Sequence, residues 1–285
     1  MKLFLLVLPL VLTACGDSPS NLNQVAPTST PSFSVTEVNL EWFGAKQQGQ
    51  SVGSDLASRV PAIKAYFQKY NMLSDVMVFE EIVNLDALQN DVLGGAYQCH
   101  SYVRTDPVHQ HVVICQKSEL TCDPVDGGYT LETVDVTGGL RPAVHCIVKR
   151  DGKAIAHVFG VHLKATPTGA ALRTKQISIL EAYMAKQDPT VPIVITGDFN
   201  TYATDVVDYD KVFSQVNMTE VIAPEAYTWT DATGKFGPAK FDHLWASNIF
   251  GKTPTSHVYG PCNGDSGDPT YHTMVSDHCG TKTTW

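Results

Sequence analysis

The segment Val35-Thr36-Glu37-Val38-Asn39-Leu40-Glu41-Trp42 alternates apolar and polar side chains and predicts a first strand. Val38, Leu40 and Trp42 fall on one face and Asn39 on the other. Helical spacing follows through Leu56, Val60, Ile63, Phe67 and Tyr70, and Pro61 places the start of the regular helix near itself, where proline fits a first turn. Val76-Met77-Val78-Phe79 reads as a second core strand that ends in Glu80-Glu81, and a short helix over 85–93 stops at Gly94-Gly95. A hairpin is expected from 97–103 and 111–115, and a second from 143–149 and 154–163, joined by a tight Asp151-Gly152 turn. A helix over 170–186 would bury Leu172, Ile179, Leu180, Tyr183 and Met184. Val191, Ile193, Val194 and Ile195 then lead a strand into Gly197-Asp198-Phe199-Asn200; strands over 240–247 and near 271–275 close the chain. Mixed hairpins with intervening helices, without an internal repeat or second linker, predict one two-sheet α/β sandwich.

The first 33 residues lie outside that pattern. Lys2 precedes a short apolar run from Leu3 to Val11, too brief to span a bilayer as a mature helix, so residues 1–14 read as an export signal. The run ends in Leu12-Thr13-Ala14-Cys15, which resembles a bacterial lipobox, where lipid is attached to the cysteine. Residues 15–33 then form an anchor cysteine with a Ser/Pro/Thr/Asn-rich tether, and 34–285 form the folded domain. The expected location is exported and lipid-anchored to a bacterial membrane, periplasmic or at the cell surface.

Cysteine usage agrees with an oxidising compartment. Apart from Cys15, the chain holds Cys99, Cys115, Cys122, Cys146, Cys262 and Cys279, and no Cys-x-x-Cys spacing favours a thiolate metal site. Fifteen pairings are open; Cys99 and Cys115 flank the first hairpin and Cys262 and Cys279 bracket the last loop, which would leave Cys122 with Cys146. A net charge of −9 argues against a protein that coats nucleic acid. It leaves room for a nuclease whose bound cation offsets repulsion locally.

Candidate chemistry sits at strand ends. Asn39, Glu81, His162, Asp198, Asn200, Asp242, Asp277 and His278 are each polar or ionisable and each lie at or near the end of an apolar strand. Any one could cap a turn or satisfy a core contact. Several acids gathered at one sheet edge are costly unless a cation or a proton neutralises them.

Val78-Phe79-Glu80-Glu81-Ile82, Gly160-Val161-His162-Leu163-Lys164, Gly197-Asp198-Phe199-Asn200, Phe241-Asp242-His243 and Ser276-Asp277-His278 occur in the order and spacing of the endonuclease/exonuclease/phosphatase superfamily, which the chain resembles over about 35–285. The resemblance implies a four-layer α/β sandwich of two packed mixed β-sheets flanked by helices. It also implies a Mg²⁺ or Mn²⁺ cofactor, with Ca²⁺ a third candidate, held by Glu81 with Asn39 and Asp277. His278, paired with Asp242, would contact the phosphate or activate water. Asp198 would orient or deprotonate the water, Asn200 would hold a phosphate oxygen, and His162 would stabilise charge on the phosphate or leaving oxygen. The family pattern selects Glu81 because apolar Ile82 follows it, and strand alternation turns Glu80 to the opposite face.

Arg104, Arg141 and Lys164 are either phosphate contacts or ordinary solvated charges; Tyr227 and Trp229 either stack a base or pack in the core. The leading expectation is an extracytoplasmic nuclease acting on DNA or RNA, with the membrane met through the lipid anchor and no obligate protein partner implied. The alternatives are a sphingomyelinase-type lipid phosphodiesterase or phosphomonoesterase, and a non-catalytic surface-binding lipoprotein.

Overall fold

Strand β1 (Ser34–Phe43) is buried along nearly its whole length, so both of its faces are covered. Val38 and Leu40 join a cluster under helices, while Val35 joins a cluster between two sheets. The alternation fails at its end. Positive φ angles at Glu41 and Trp42 insert a bulge between Asn39 and Phe43, and Phe43 takes the core position expected of Trp42, which is half-buried. The structure, a computed structural model, describes residues 32–45, 55–102, 110–126, 128, 130–131, 140–202, 205, 212–247, 251–264 and 268–285. The export signal, Cys15, most of the tether and Arg104 lie outside the described residues. No described helix is long and apolar enough to cross a membrane.

Helix α1 (Leu56–Lys69) starts earlier than expected because Asp55 caps it, accepting from Ala57 N (3.0 Å) and Ser58 Oγ (2.6 Å). Pro61 is carried inside the helix, where its missing N–H forfeits one bond near the N-terminal end. The chain continues through β2 (Val76–Ile82), a π-helical turn at Ala87–Val92, β3 (Tyr97–His100), β4 (His111–Lys117), β5 (Leu120–Pro124) and β6 (Thr130–Leu131). The second hairpin, β7 (Ala143–Arg150) and β8 (Lys153–His162), turns at Asp151-Gly152, both with positive φ as a type I′ turn requires.

Helix α2 (Ala170–Met184) departs from its expected face: Arg173, Gln176, Ile177, Leu180 and Met184 are buried, whereas Leu172, Ile179 and Tyr183 are half-buried. Its buried polar residues hold loops beside the site, a use that apolar periodicity does not register. Strands β9 (Ile193–Asp198), β10 (Met218–Glu220), β11 (Asp242–Ser247) and β12 (Thr255–Val258) follow. The expected strand near 271–275 is a helical turn, α3 (Tyr271–Met274), and the last strand is β13 (Thr281–Thr284). Its sequence Thr-Lys-Thr-Thr carries no apolar signal, yet it lies between β1 and β12 with Thr281 and Thr283 fully buried.

One sheet has the order β12-β13-β1-β2-β4-β3, and the other β10-β11-β9-β8-β7-β5, with β6 beside β7. Each is mixed, with β1 parallel to β2 and β8 parallel to β9. Their inner faces share Val35, Val78, Val112, Ile114, Val158, Val194 and Leu244. Helices α1 and α3 cover the first sheet and α2 the second, around Phe67, Phe79 and Leu40 on one side and Phe159, Leu180 and Trp245 on the other. The four layers are those expected. Cys99–Cys115, Cys122–Cys146 and Cys262–Cys279 are disulfide-bonded.

Candidate active site

Strand register decides which residues meet. Parallel pairing of β8 and β9 sets His162 beside Asp198, and antiparallel β11 begins with Asp242 opposite Asp198. In the facing sheet, β1 and β2 set Asn39 beside Glu80. Gly197 lets these elements close up: its φ is +139°, and a Cβ there would lie 2.0 Å from Val161 O and 2.8 Å from Glu80 Oε1.

Asp198 is the centre of the arrangement. Its Oδ1 accepts from Asn200 N (2.8 Å); its Oδ2 accepts from Asn39 Nδ2 (3.2 Å) and lies 3.3 Å from His162 Nε2 and 3.8 Å from His278 Nε2. Burial pushes its pKa up to about 7, helped by the charges of Asp242 and Glu81 and opposed by His278 and the Asn200 N–H. The His162 imidazole is held well below its usual range by burial, with Arg141 and His278 adding to the effect. His162 is therefore neutral, with Nε2 placed 3.3 Å from Asp198 Oδ2, and its buried Nδ1 has no hydrogen-bond partner among the described residues. Asn200, in a left-handed conformation, reaches Leu163 O only at 3.4 Å.

His278 differs from His162 in sign. Its Nδ1 lies 2.8 Å from Asp242 Oδ2, and Asp242 is fully buried. Burial works against the imidazolium, but the charge and hydrogen bond of Asp242, then Asp277 and Asp198, outweigh it and raise the pKa well above the usual value. Asp242 Oδ1 has no hydrogen-bond partner among the described residues. Two histidines within reach of one carboxylate thus favour opposite protonation states, a division of roles typical of catalytic sites.

Glu81 reaches the site by a route that alternation does not supply. A regular strand would aim Glu80 between the sheets with Asn39 and send Glu81 into the helix layer. A shift between Phe79 and Ile82, with φ +58° at Glu81, brings Glu81 back to the edge. There it meets Asn39 Nδ2 (3.4 Å), Trp42 N (3.2 Å), Gln110 Nε2 (2.5 Å) and His162 Nε2 (3.9 Å). Gln110 is in turn held by Arg141 Nη1 (2.9 Å), whose guanidinium also binds the carbonyls of His162 and Leu163. Arg141 therefore sits behind Glu81 as part of its support. Lys164 is half-buried at the end of β8, its backbone held by Gln176 and Arg173.

The donor set suits a hard divalent cation. Glu81, His162 and Asp198 offer ligand atoms within 4.8 Å of one another, as do Asp198, Asp242 and His278. Burial raises the pKa of Glu81, and Asp277 raises it further against Arg141 and His278; bringing such carboxylates together is stabilised by a cation on their oxygens. Asp277 Oδ1 is buried without a hydrogen-bond partner among the described residues, while its Oδ2 accepts from Trp229 Nε1 (2.8 Å). Asn39 is aimed differently from the expectation of a ligand. Its Oδ1 accepts from Glu41 N (3.0 Å), a group that can only donate, so the amide N–H₂ faces Glu81 and Asp198 and ties them together. Trp229 orients Asp277 and packs on Phe241, whereas Tyr227 is exposed.

Several supporting residues lie away from the strand ends and carry no acid-cluster signal in the sequence. Thr228 accepts from both Phe241 N (3.0 Å) and Asp242 N (2.9 Å) through its hydroxyl. Arg59, fully buried, donates to the carbonyls of Leu40, Glu41 and Val275, joining the β1 bulge to the segment before Asp277. Arg173 pairs with Asp205 and holds the carbonyls of Lys164 and Thr166. Both arginines fall on the apolar stripes of their helices, and a charge there is a readable signal. His243 lies 2.5 Å from Glu220 Oε1 through Nδ1 and 3.0 Å from Thr201 Oγ1 through Nε2, bracing the loop after Asn200. Beneath them all, Glu37 and Glu80 are fully buried side by side. Thr281 donates to Glu37 (3.1 Å), and neither Glu80 oxygen has a hydrogen bond of ordinary geometry.

Comparison with solved structures places this arrangement among known folds. D. rerio TDP2 complexed with a single strand DNA product superposes with a TM-score of 0.65 at 16% identity, over 90% of this chain and 99% of the other. The human Nocturnin catalytic domain with bound sulfate gives 0.60 at 17%, over 89% and 93%. An endonuclease/exonuclease/phosphatase family protein from Bacteroides thetaiotaomicron gives 0.58 at 18%, over 89% and 97%. No curated protein sequence matches the chain. At such identities the likeness establishes the fold. The family profile spans residues 39–278, from Asn39 to His278 of the site, and the chain therefore belongs to the Endonuclease/Exonuclease/phosphatase family.

Proposed function

We propose that the chain is a divalent-metal-dependent phosphodiesterase that cuts DNA or RNA outside the cytoplasm. The observation that carries the reading is the convergence of Asp198 with Asn39, His162, Asn200 and the Asp242–His278 pair at one edge of the sandwich. Asp198, with its pKa near neutrality, accepts the proton of the attacking water at pH 7. As the water oxygen bonds to phosphorus, the bond to the leaving oxygen breaks. His278, kept cationic by Asp242, binds a non-bridging phosphate oxygen, and Asn200 turns from its long contact with Leu163 O to a second. His162 donates from Nε2 to the charge that develops beside Asp198. A divalent cation held by Glu81 and Asp277 would supply positive charge for the phosphate and the departing alkoxide.

Nucleic acid is favoured as substrate by the family and by the TDP2 neighbour solved with a single strand DNA product. Export and a lipid anchor at Cys15 are part of the proposal and rest on the N-terminal sequence, as does the boundary at residues 33 and 34. Purified chain should degrade plasmid DNA or RNA in Mg²⁺ and stop on addition of EDTA, while sphingomyelin vesicles remain intact. Metal-dependent cleavage of sphingomyelin with untouched nucleic acid would overturn the substrate assignment.

A further inference from the structure

Cys279 follows His278 directly, and the backbone around them is held from several directions. His278 N donates to Ser276 Oγ (3.0 Å), Tyr271 Oη donates to His278 O (2.7 Å), and Cys279 N donates to Thr228 O (2.7 Å). Thr228 is the residue whose hydroxyl receives Asp242 N, so one residue spaces the two halves of the Asp242–His278 pair. The sulfur of Cys279 is bonded to Cys262 in a short turn, Pro261–Asn263. That turn grips the same segment from the other side, because Asn263 Oδ1 accepts from Tyr227 N (3.1 Å) and Asn263 Nδ2 donates to Tyr227 O (2.9 Å). Gly260 allows the turn to close on the sulfur: its φ is +122°, and a Cβ there would lie 3.0 Å from Cys279 Sγ.

These links form a ring running from Tyr227 and Thr228 to Asp242, across to His278 and Cys279, and back through Cys262 and Asn263. The non-covalent links in it are hydrogen bonds, among them the charged His278–Asp242 pair. The Cys262–Cys279 disulfide is the covalent bond that closes it. The other disulfides lie elsewhere, Cys99–Cys115 across the β3–β4 pair and Cys122–Cys146 between β5 and β7.

We propose that the Cys262–Cys279 disulfide is a positioning element that fixes the His278 imidazole against Asp242, which makes turnover dependent on its oxidation. The proposal rests on the phosphodiesterase reading for its kinetic effect. A displacement of about 1 Å in a catalytic group can cost on the order of 100-fold in rate. The double variant Cys262→Ala/Cys279→Ala should therefore lose roughly 10- to 100-fold in kcat on bis(p-nitrophenyl) phosphate with Mg²⁺, at nearly unchanged KM. Cys99→Ala/Cys115→Ala, which removes a disulfide outside the ring, should keep the wild-type kcat.

Two further measurements make the result decisive. If the double variant does not fold, partial reduction of wild-type protein serves. Dithiothreitol gives two electrons and two protons to the disulfide and closes to its own cyclic disulfide; kcat should fall as thiols appear at Cys262 and Cys279 and return on reoxidation. The imidazole Cε1–H signal of His278 should shift or broaden in Cys262→Ala/Cys279→Ala and stay in place in Cys99→Ala/Cys115→Ala. Wild-type kcat and an unmoved His278 signal without the Cys262–Cys279 bond would overturn the proposal. A wild-type protein inactive on every phosphodiester would overturn the functional reading instead, and the His278 signal would still decide the positioning role.

Discussion

Replacing Glu80 by Gln should stabilise the protein at neutral pH. Glu80 is fully buried, neither of its oxygens has a hydrogen bond of ordinary geometry, and Glu37 lies beside it. Burial, then the charges of Glu37, Asp242 and Asp198, hold its pKa well above the ordinary 4.5. In the unfolded chain the carboxyl is free to ionise, so each pH unit between its ordinary pKa and its raised folded pKa costs about 1.4 kcal/mol as pH rises. The amide has nearly the same shape, carries no such cost, and can donate to Glu37. Allowing for desolvation of the amide, the gain should be about 1–3 kcal/mol, or roughly 3–10 °C in Tm. A group with a raised folded pKa adds stability below its unfolded pKa and loses it as pH rises. The advantage of Glu80→Gln should accordingly vanish near pH 4.5 and grow toward pH 7. Urea unfolding of both proteins at pH 4.5, 6 and 7 measures this, and a gap that is absent or constant with pH would refute the reasoning.

Other outcomes follow from the same geometry. Gln110→Ala removes the Nε2 donor and the link to Arg141 that orient Glu81, and should raise the Mg²⁺ concentration needed for half-maximal rate by about 10-fold or more; an unchanged Mg²⁺ titration would contradict the role of Glu81. His145, stacked on Phe159 at 3.9 Å, is pushed down to about 3 by burial and by His157. Its contribution to stability is complete above about pH 6.5 and is lost as pH falls toward 3, at up to about 1.4 kcal/mol per unit. His145→Phe should flatten acid unfolding by about one proton between pH 6 and 4, and parallel pH profiles would count against it.

Much of the architecture was legible because buried strands announce themselves. The run into Asp198, the Asp151-Gly152 turn and the two-sheet sandwich follow from apolar pattern and turn chemistry. What escaped the pattern is polar and buried. Thr281 and Thr283 build an inner strand, one in from the sheet edge, without an apolar side chain, and Arg173 and Gln176 displace half of the expected face of α2. Bulges account for the rest. Positive φ at Trp42 exchanges it with Phe43, and positive φ at Glu81 returns to the site an acid that regular alternation would have sent away. The strand-end residues Glu81, His162, Asp198, Asp242 and His278 do gather, as accumulation at one edge implied. Their supports, Gln110, Thr228 and Arg59, come from loops and a helix where single polar residues carry little signal.

Turnover by His278→Ala, set beside its thermal unfolding, tests the assignment of the site most sharply. The imidazole carries the positive charge that the phosphate meets, and removal of one such stabilising group costs on the order of 100- to 1000-fold in kcat. His278→Ala should lose at least 100-fold on a phosphodiester substrate with Mg²⁺ while unfolding as cooperatively as wild type. A folded His278→Ala protein that turns over at a near wild-type rate would show that the chemistry takes place elsewhere.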